Sequence, residues 1–239
     1  MIADSLHGRR ALVTGGTRGI GAAVVSQLEA LGAEVVFTGR HVRVDDDLAQ
    51  YRAVDFAQRQ DVERFASDVA REPWDVLVNC AGINRIFPFA EICIDDFDEV
   101  IDVNLRAPMV LCRAVIAGMQ ERGWGRIVNI TSIFGLVSKE HRAPYSASKF
   151  GLDGLTAALA AEVAVHGVLA NCVAPGVVDT DLTREVLGEA GIQEIVRTIP
   201  AGRLAEPEEI ARVVAWLASP DNTYISGQTI VVDGGFTRV

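Results

Sequence analysis

Five residues, Arg10-Ala11-Leu12-Val13-Thr14, form a short apolar run that breaks into glycines spaced Gly15-x-x-x-Gly19-x-Gly21. Beyond them the period changes. Ile20, Val24, Val25, Leu28 and Leu31 recur along one side of a helix that Gly32 ends as a C′ residue. A strand, a glycine turn and a helix N-terminus in direct succession restrict the chain to few architectures. The unpaired N–H groups and the positive end of the helix dipole converge on the turn, which predicts an anion site of the kind that holds a dinucleotide pyrophosphate.

The alternation continues through the chain. Apolar runs at Glu34–Thr38, Tyr51–Val54, Asp75–Asn79, Arg126–Thr131, Val168–Ala174 and Gln228–Val232 read as further strands. Helical patterns lie between them over roughly Arg59–Arg71 and Asp95–Glu121, from Pro144 through Val165, and from Glu206 through Leu217. This order predicts an α/β fold of the Rossmann type, a doubly wound, seven-stranded parallel sheet with helices on both faces. With 239 residues, 49% of them hydrophobic, the chain is expected to form one dinucleotide-binding domain over 1–239. The crossover from His41 to Gln50 is short for a helix, and its Asp45-Asp46-Asp47 run reads as a solvated loop.

A net charge of −10 excludes a general nucleic-acid or anionic-membrane surface. No apolar leader precedes the first strand, and the most apolar region, Leu155 to Val178, is interrupted by Glu162, His166, Asn171 and Pro175. Cys80, Cys93, Cys112 and Cys172 have no Cys-x-x-Cys spacing and combine with no histidine pattern, so no metal site is expected. They read as buried free thiols of a cytoplasmic protein.

Between Ser132 and Lys149 the residue types permit acid–base chemistry, although a core tyrosine beside a solvated lysine is the plainer reading of this spacing alone. Pro144 suits the first turn of a helix, and Tyr145 and Lys149, four residues apart, share a face of it. A phenol must lose roughly three pKa units, about 4 kcal/mol, to exchange a proton near neutrality. An ammonium one turn away is expected to supply much of that, and Ser132 at a strand end can donate to the same substrate oxygen. The second strand ends at Gly39-Arg40 rather than at a carboxylate. Arg40 and Arg18 together can take a 2′-phosphate, so NADP(H) is expected over NAD(H).

Thr14-Gly15-Gly16-Thr17-Arg18-Gly19-Ile20-Gly21, Asn79-Cys80-Ala81-Gly82, Asn104, Ser132, Tyr145-x-x-x-Lys149 and Pro175-Gly176 occur in the order and spacing of one family. Over nearly its whole length the chain resembles the short-chain dehydrogenases/reductases, and among them the 3-oxoacyl-(acyl-carrier-protein) reductases. That resemblance implies a catalytic set of Asn104, Ser132, Tyr145 and Lys149. Asn104, whose carbonyl loses a helical partner at Pro108, would anchor a water serving Lys149, and Lys149 would also bind the nicotinamide ribose. The implied cofactor contacts are Gly15, Thr17, Arg18, Gly19, Ile20 and Gly21 in the turn, then Arg40, Asp55 and Phe56 around the adenosine. Asn79, Ala81 and Gly82 follow the fourth strand, and Pro175, Gly176, Val178 and Thr180 lie toward the nicotinamide. An N-cap role for Asp55 is the plainer alternative. Residues 181–199 would form a substrate lid with Gly188 and Gly191 as flexible points, and Arg85 could meet a substrate anion. The nearly all-apolar helix after Pro144 would join copies into a homodimer or homotetramer.

The implied activity is interconversion of a small-molecule carbonyl and a secondary alcohol, like that of 3-oxoacyl reductases. Lys139, Glu140, His141 and Arg142 replace the small polar residues usual before the tyrosine in acyl reductases. They keep a dehydrogenase of a sugar or other polar metabolite as an alternative. A third class, a protein that senses dinucleotides without turning them over, usually lacks part of the Ser/Tyr/Lys set, which is complete here.

Overall fold

Alternate residues of each strand face opposite sides, and here both sides are apolar, so the sheet needs a helical layer on each. The computed structural model describes residues 5–41 and 50–239. Its seven strands are β1 (Arg10–Thr14), β2 (Glu34–Gly39), β3 (Tyr51–Ala53), β4 (Val76–Asn79), β5 (Gly125–Ile130), β6 (Val168–Pro175) and β7 (Thr229–Val232). All pair in parallel, in the order β3-β2-β1-β4-β5-β6-β7.

Leu12, Val36, Leu77, Ile127 and Ala170 face one layer, built by α2 (Arg59–Val69), α4 (Ala107–Glu121) and α5 (Ala143–Val163). Their strand neighbours Ala11, Val13, Val35, Val76, Val78 and Val128 face α1 (Gly19–Glu29) and α7 (Pro207–Ala218). Each Leu- or Val-sized side chain buried this way contributes ~1.5–3 kcal/mol, which is why the period-2 pattern sets the register. The remaining helices are α3 (Ile94–Ile101) and α6 (Asp181–Val196). From β1 the chain builds outward through β2 to β3, then returns to place β4 on the other side of β1. The crevice for a ligand therefore opens at the carboxyl ends of β1 and β4.

The single helix expected over Asp95–Glu121 is divided. Between α3 and α4 the residues Asp102–Arg106 form a π-helical stretch, in which the Ala107 N–H donates to the Asp102 carbonyl, five residues back. Pro108 sits in the first turn of α4 and has no N–H to continue the normal ladder, and the widened backbone accommodates that loss. Gly32 does end α1: its N–H donates to the Glu29 carbonyl, and the Ala33 N–H donates to Leu28. Asp55 is not an N-cap. Its carboxylate accepts from the Ala57 N–H at 3.1 Å, and Gln58 occupies the N-cap position of α2 without a side-chain capping bond.

Two thiols, Cys112 and Cys172, are buried as expected, whereas Cys93 is exposed and Cys80 partly so. Among the described residues no group of histidines, cysteines and carboxylates could hold a metal ion, and no helix is long and apolar enough to cross a membrane. The aspartate run at 45–47 and most of the crossover from 41 to 50 lie outside the described residues.

Candidate active site

The carboxyl ends of β1, β4, β5 and β6 surround one cavity of about 640 Å³, within the usual range of small-molecule sites. Each strand contributes its first residues beyond the sheet. After β1 come Gly15, Thr17, Arg18, Gly19, Ile20 and Gly21; after β2, Arg40; after β3, Asp55 and Phe56. Ala81 and Gly82 follow β4, Ser132 follows β5, and Pro175, Gly176, Val178 and Thr180 close the wall beside β6. Tyr145 and Lys149 enter from α5.

The glycine turn is held by strand-end threonines. Thr38 Oγ1 accepts from the Gly15 N–H at 3.1 Å, and Thr14 Oγ1 accepts from the N–H groups of Cys80 and Ala81, both at 3.0 Å. A Cβ on Gly21 would lie 2.1 Å from the Gly15 carbonyl oxygen, so no larger residue fits there. Helix α1 begins at Arg18 with no side-chain cap and no acid in its first turn, which leaves its first N–H groups without side-chain acceptors and its dipole uncompensated. These features fit a dinucleotide pyrophosphate.

At the end of β2, a Cβ on Gly39 would lie 2.6 Å from both Thr17 Cγ2 and Tyr51 Oη. A side chain at that position would require Thr17 and Tyr51 to shift. Arg18 and Arg40 are exposed there, with Arg40 Nε 4.0 Å from Asp55 Oδ1, its one ion pair among the described residues. The exposed pair fits a 2′-phosphate.

Toward β5 the site becomes a proton-handling group. Lys149 is 4% exposed and donates from Nζ to the Ile130 carbonyl at 2.8 Å, with Nζ 5.6 Å from the Tyr145 ring centroid. The Ser132 hydroxyl accepts from the Phe134 N–H at 3.1 Å, which leaves its own proton to donate elsewhere. Asn104 is fully buried: Oδ1 accepts from the Ile83 N–H at 2.9 Å, and Nδ2 donates to the Ile83 carbonyl at 2.9 Å and to Ser148 Oγ at 3.1 Å. Ser148 Oγ in turn donates to the Tyr145 carbonyl at 2.7 Å, so Asn104 fixes both the loop after β4 and the start of α5.

A family model described as Enoyl-(Acyl carrier protein) reductase matches residues 15–237. The 3-oxoacyl-(acyl-carrier-protein) reductase FabG of Rickettsia bellii is 40% identical over 239 residues, spanning 98% of this chain and 99% of its own. The chain is a short-chain dehydrogenase/reductase. Among solved structures, a candidate NAD(P) dependent gluconate 5-dehydrogenase from Beutenbergia cavernae, with NADP bound at low occupancy, superposes with a TM-score of 0.94 at 37% identity, covering both chains fully. A gluconate 5-dehydrogenase from Burkholderia cenocepacia, in complex with NADP and tartrate, gives 0.89 at 32%, covering 98% of this chain and 97% of its own. As a member of this family the protein is an oxidoreductase acting on CH–OH groups.

Some expectations need correction within that frame. Asn79 does not line the cavity: its amide turns into the sheet and donates to Asn129 Oδ1 at 2.8 Å, so the cavity wall at this point comes from the residues after it. Asn104 likewise stands behind the wall. Arg85 is engaged by Glu99 at 2.6 Å and Asp96 at 3.4 Å rather than left for a substrate. In the lid segment Gly188 breaks α6 with φ 60° and ψ 177°, whereas Gly191 continues the helix. Thr180 caps α6 by accepting from the Thr183 N–H at 3.2 Å.

Desolvation pushes the Tyr145 pKa up, opposed first by the Ser132 hydrogen bond and then by the Arg142 charge. The ammonium is directed to the Ile130 carbonyl, and burial lowers Lys149 itself to about 8. Burial likewise raises the Cys80 thiol to about 12, so it is no nucleophile at neutral pH. Thr14, Thr38 and Phe134 were not expected from sequence as site residues, and Arg142 only as part of the charged loop before Tyr145. The threonines could have been found, since each ends a strand immediately before or beside the glycine turn.

Lys149 makes activity costly in stability. Its folded pKa of about 8 lies below the usual 10.5, so the folded chain binds fewer protons between those values and gains stability as pH rises across that window. Below pH 8 the buried charge is a standing penalty. Lys149→Met is expected to stabilise the protein by on the order of 1–3 kcal/mol at pH 7, with the gain shrinking from pH 8 to 10.5, measured by urea unfolding. A variant less stable at pH 7, with a pH-independent difference, would contradict this.

Proposed function

We propose that this protein is an NADP(H)-dependent reductase that converts a carbonyl to a secondary alcohol, in the manner of 3-oxoacyl reductases. The observation that carries this reading is the continuity of one cavity from the Arg18/Arg40 end, through the glycine turn, to Ser132, Tyr145 and Lys149. In this reading residues 1–239 act as one domain and 181–199 as its lid.

The proton chemistry follows from the side chains. Ser132 donates to the substrate carbonyl oxygen, and Tyr145 donates to the same oxygen as negative charge develops there. Tyr145, half-buried in the cavity wall, carries the phenol proton that the developing alkoxide takes up. Lys149, with a pKa near operating pH, returns a proton toward Tyr145, and Asn104 holds the loop and helix start that align them. NADPH, when bound, supplies the hydride that the carbonyl carbon gains. Gly15 to Gly21, Ala81, Gly82 and Pro175 to Thr180 hold it, Arg18 and Arg40 take its 2′-phosphate, and Asp55 and Phe56 border its adenine.

A second reading, reduction or oxidation of a polar hydroxy acid or sugar, has Arg142 in its favour and is the activity named for the two gluconate dehydrogenase structures. A purely sensory role leaves the complete Ser/Tyr/Lys set without a use. We further assign the protein to the cytoplasm and to a homodimer or homotetramer. Exposed Ala157, Ala158 and Ala161 on α5, with Phe150 47% exposed, support contact with a second copy.

An acetoacetyl thioester and a panel of keto-sugars, followed by oxidation of NADPH and NADH, test the reaction. Tyr145→Phe is expected to lower kcat by at least about 10³-fold while NADPH binding, read by fluorescence, changes less than about threefold. Near-native turnover would show the acid to be misassigned. Arg40→Ala should raise the KM for NADPH by roughly 10- to 100-fold and leave that for NADH nearly unchanged, as expected for one charged contact to a phosphate. Equal effects on both would remove Arg40 from phosphate recognition.

A further inference from the structure

Arg142 sits three residues before Tyr145, at the N-cap of α5, and lines the same cavity as Ser132, Phe134 and Tyr145. Its guanidinium lies over the Phe134 ring at 5.6 Å from the centroid, and Phe134 is two residues beyond Ser132. The side chain is only partly exposed. Yet among the described residues no carboxylate lies within ion-pair distance of it and no acceptor takes a hydrogen bond from it. The other cations near this end differ: Arg85 is paired with Glu99, and Lys139, half-exposed, lies 4.0 Å from Glu140.

The backbone that delivers this arginine is strained. His141 has φ 65°, the only positive φ of a non-glycine among the described residues, and its carbonyl accepts from the Phe87 N–H at 3.3 Å. A left-handed non-glycine costs on the order of 1–2 kcal/mol and persists where the surroundings hold it. Here it fixes Arg142 at the helix start, between the loop after β4 and the reacting hydroxyls.

We infer that Arg142 forms a carboxylate subsite, so that the substrate is a short oxo acid or hydroxy acid whose free carboxylate pairs with this guanidinium while its carbonyl meets Ser132 and Tyr145. A partly desolvated guanidinium without an acceptor is unfavourable, and a carboxylate satisfies its fork through two parallel N–H···O bonds. A single guanidinium matches one negative charge. A neutral polyol would leave that charge uncompensated. Burial draws the Arg142 pKa down, with Tyr145 and Glu140 opposing it, so an anion in the cavity would restore what burial removes.

This inference rests on the reading of the cavity as a carbonyl-reducing site and follows the hydroxy-acid reading of its substrate rather than the thioester one, and its test separates the subsite from the reductase activity. Acetoacetate and its neutral ethyl ester present the same carbonyl with and without the charge. The wild-type enzyme with NADPH should favour acetoacetate in kcat/KM by at least about tenfold. In Arg142→Gln that acid-to-ester ratio should fall by about 10- to 100-fold, with partial recovery in Arg142→Lys. Equal losses for acid and ester, leaving the ratio unchanged, would overturn the subsite. A second readout needs no turnover. Malonate should raise the melting temperature of the NADP⁺-loaded wild-type protein and do so at least tenfold less effectively, by concentration, in Arg142→Gln. Equal protection of both proteins, or none in either, would also overturn it. If malonate protects only the wild type and no carbonyl compound is reduced, the carboxylate subsite stands and the reductase reading falls.

Discussion

The placement of the reacting groups, though not the stability of the fold, depends on one buried amine. Lys149, 4% exposed, ties α5 to the carbonyl of Ile130 at the last residue of β5, and through that bond the helix carrying Tyr145 is fixed to the strand that leads to Ser132. Burying an ammonium is unfavourable unless it is hydrogen-bonded, and the depressed pKa records the cost. What the cost secures is placement. The amine that can exchange protons near neutral pH is set beside a phenol that, left to its surroundings, does not.

Around it stand residues that hold rather than react. Asn104 bonds to both polar groups of the Ile83 backbone and to Ser148, and it sits in the only π-helical stretch among the described residues. Thr14 and Thr38 hold the glycine turn against the start of the β4 loop. The site is thus assembled from strand ends that the parallel sheet brings to one edge, which is the common location for ligands in such sheets.

Much of this was legible in the sequence. The strand-glycine-helix unit at Arg10 to Gly32, the seven strands and the Tyr145/Lys149 pairing follow from period and turn chemistry, which act locally. What escaped depends on contacts between distant segments. Asn79 turns inward because Asn129 lies opposite it in β5, a partner fifty residues away. Arg85 is claimed by acids on α3, and Asp55 bonds to Ala57 instead of capping α2. The electrostatics of Tyr145 could not be read from spacing either. Four residues on a helix bring the lysine near the ring, but the Ile130 carbonyl takes its proton donor, and burial outweighs the remaining attraction.

The central claim is that desolvation raises the Tyr145 pKa in the free protein and that a bound cofactor brings the phenol into a working range. Ultraviolet difference titration of wild type against Tyr145→Phe measures that ionisation directly. The account predicts a Tyr145 pKa above the ordinary value near 10 in the free protein and a fall of at least about two units when NADP⁺ is bound. A phenol already ionising well below 10 without cofactor, or one that NADP⁺ does not move, would contradict it.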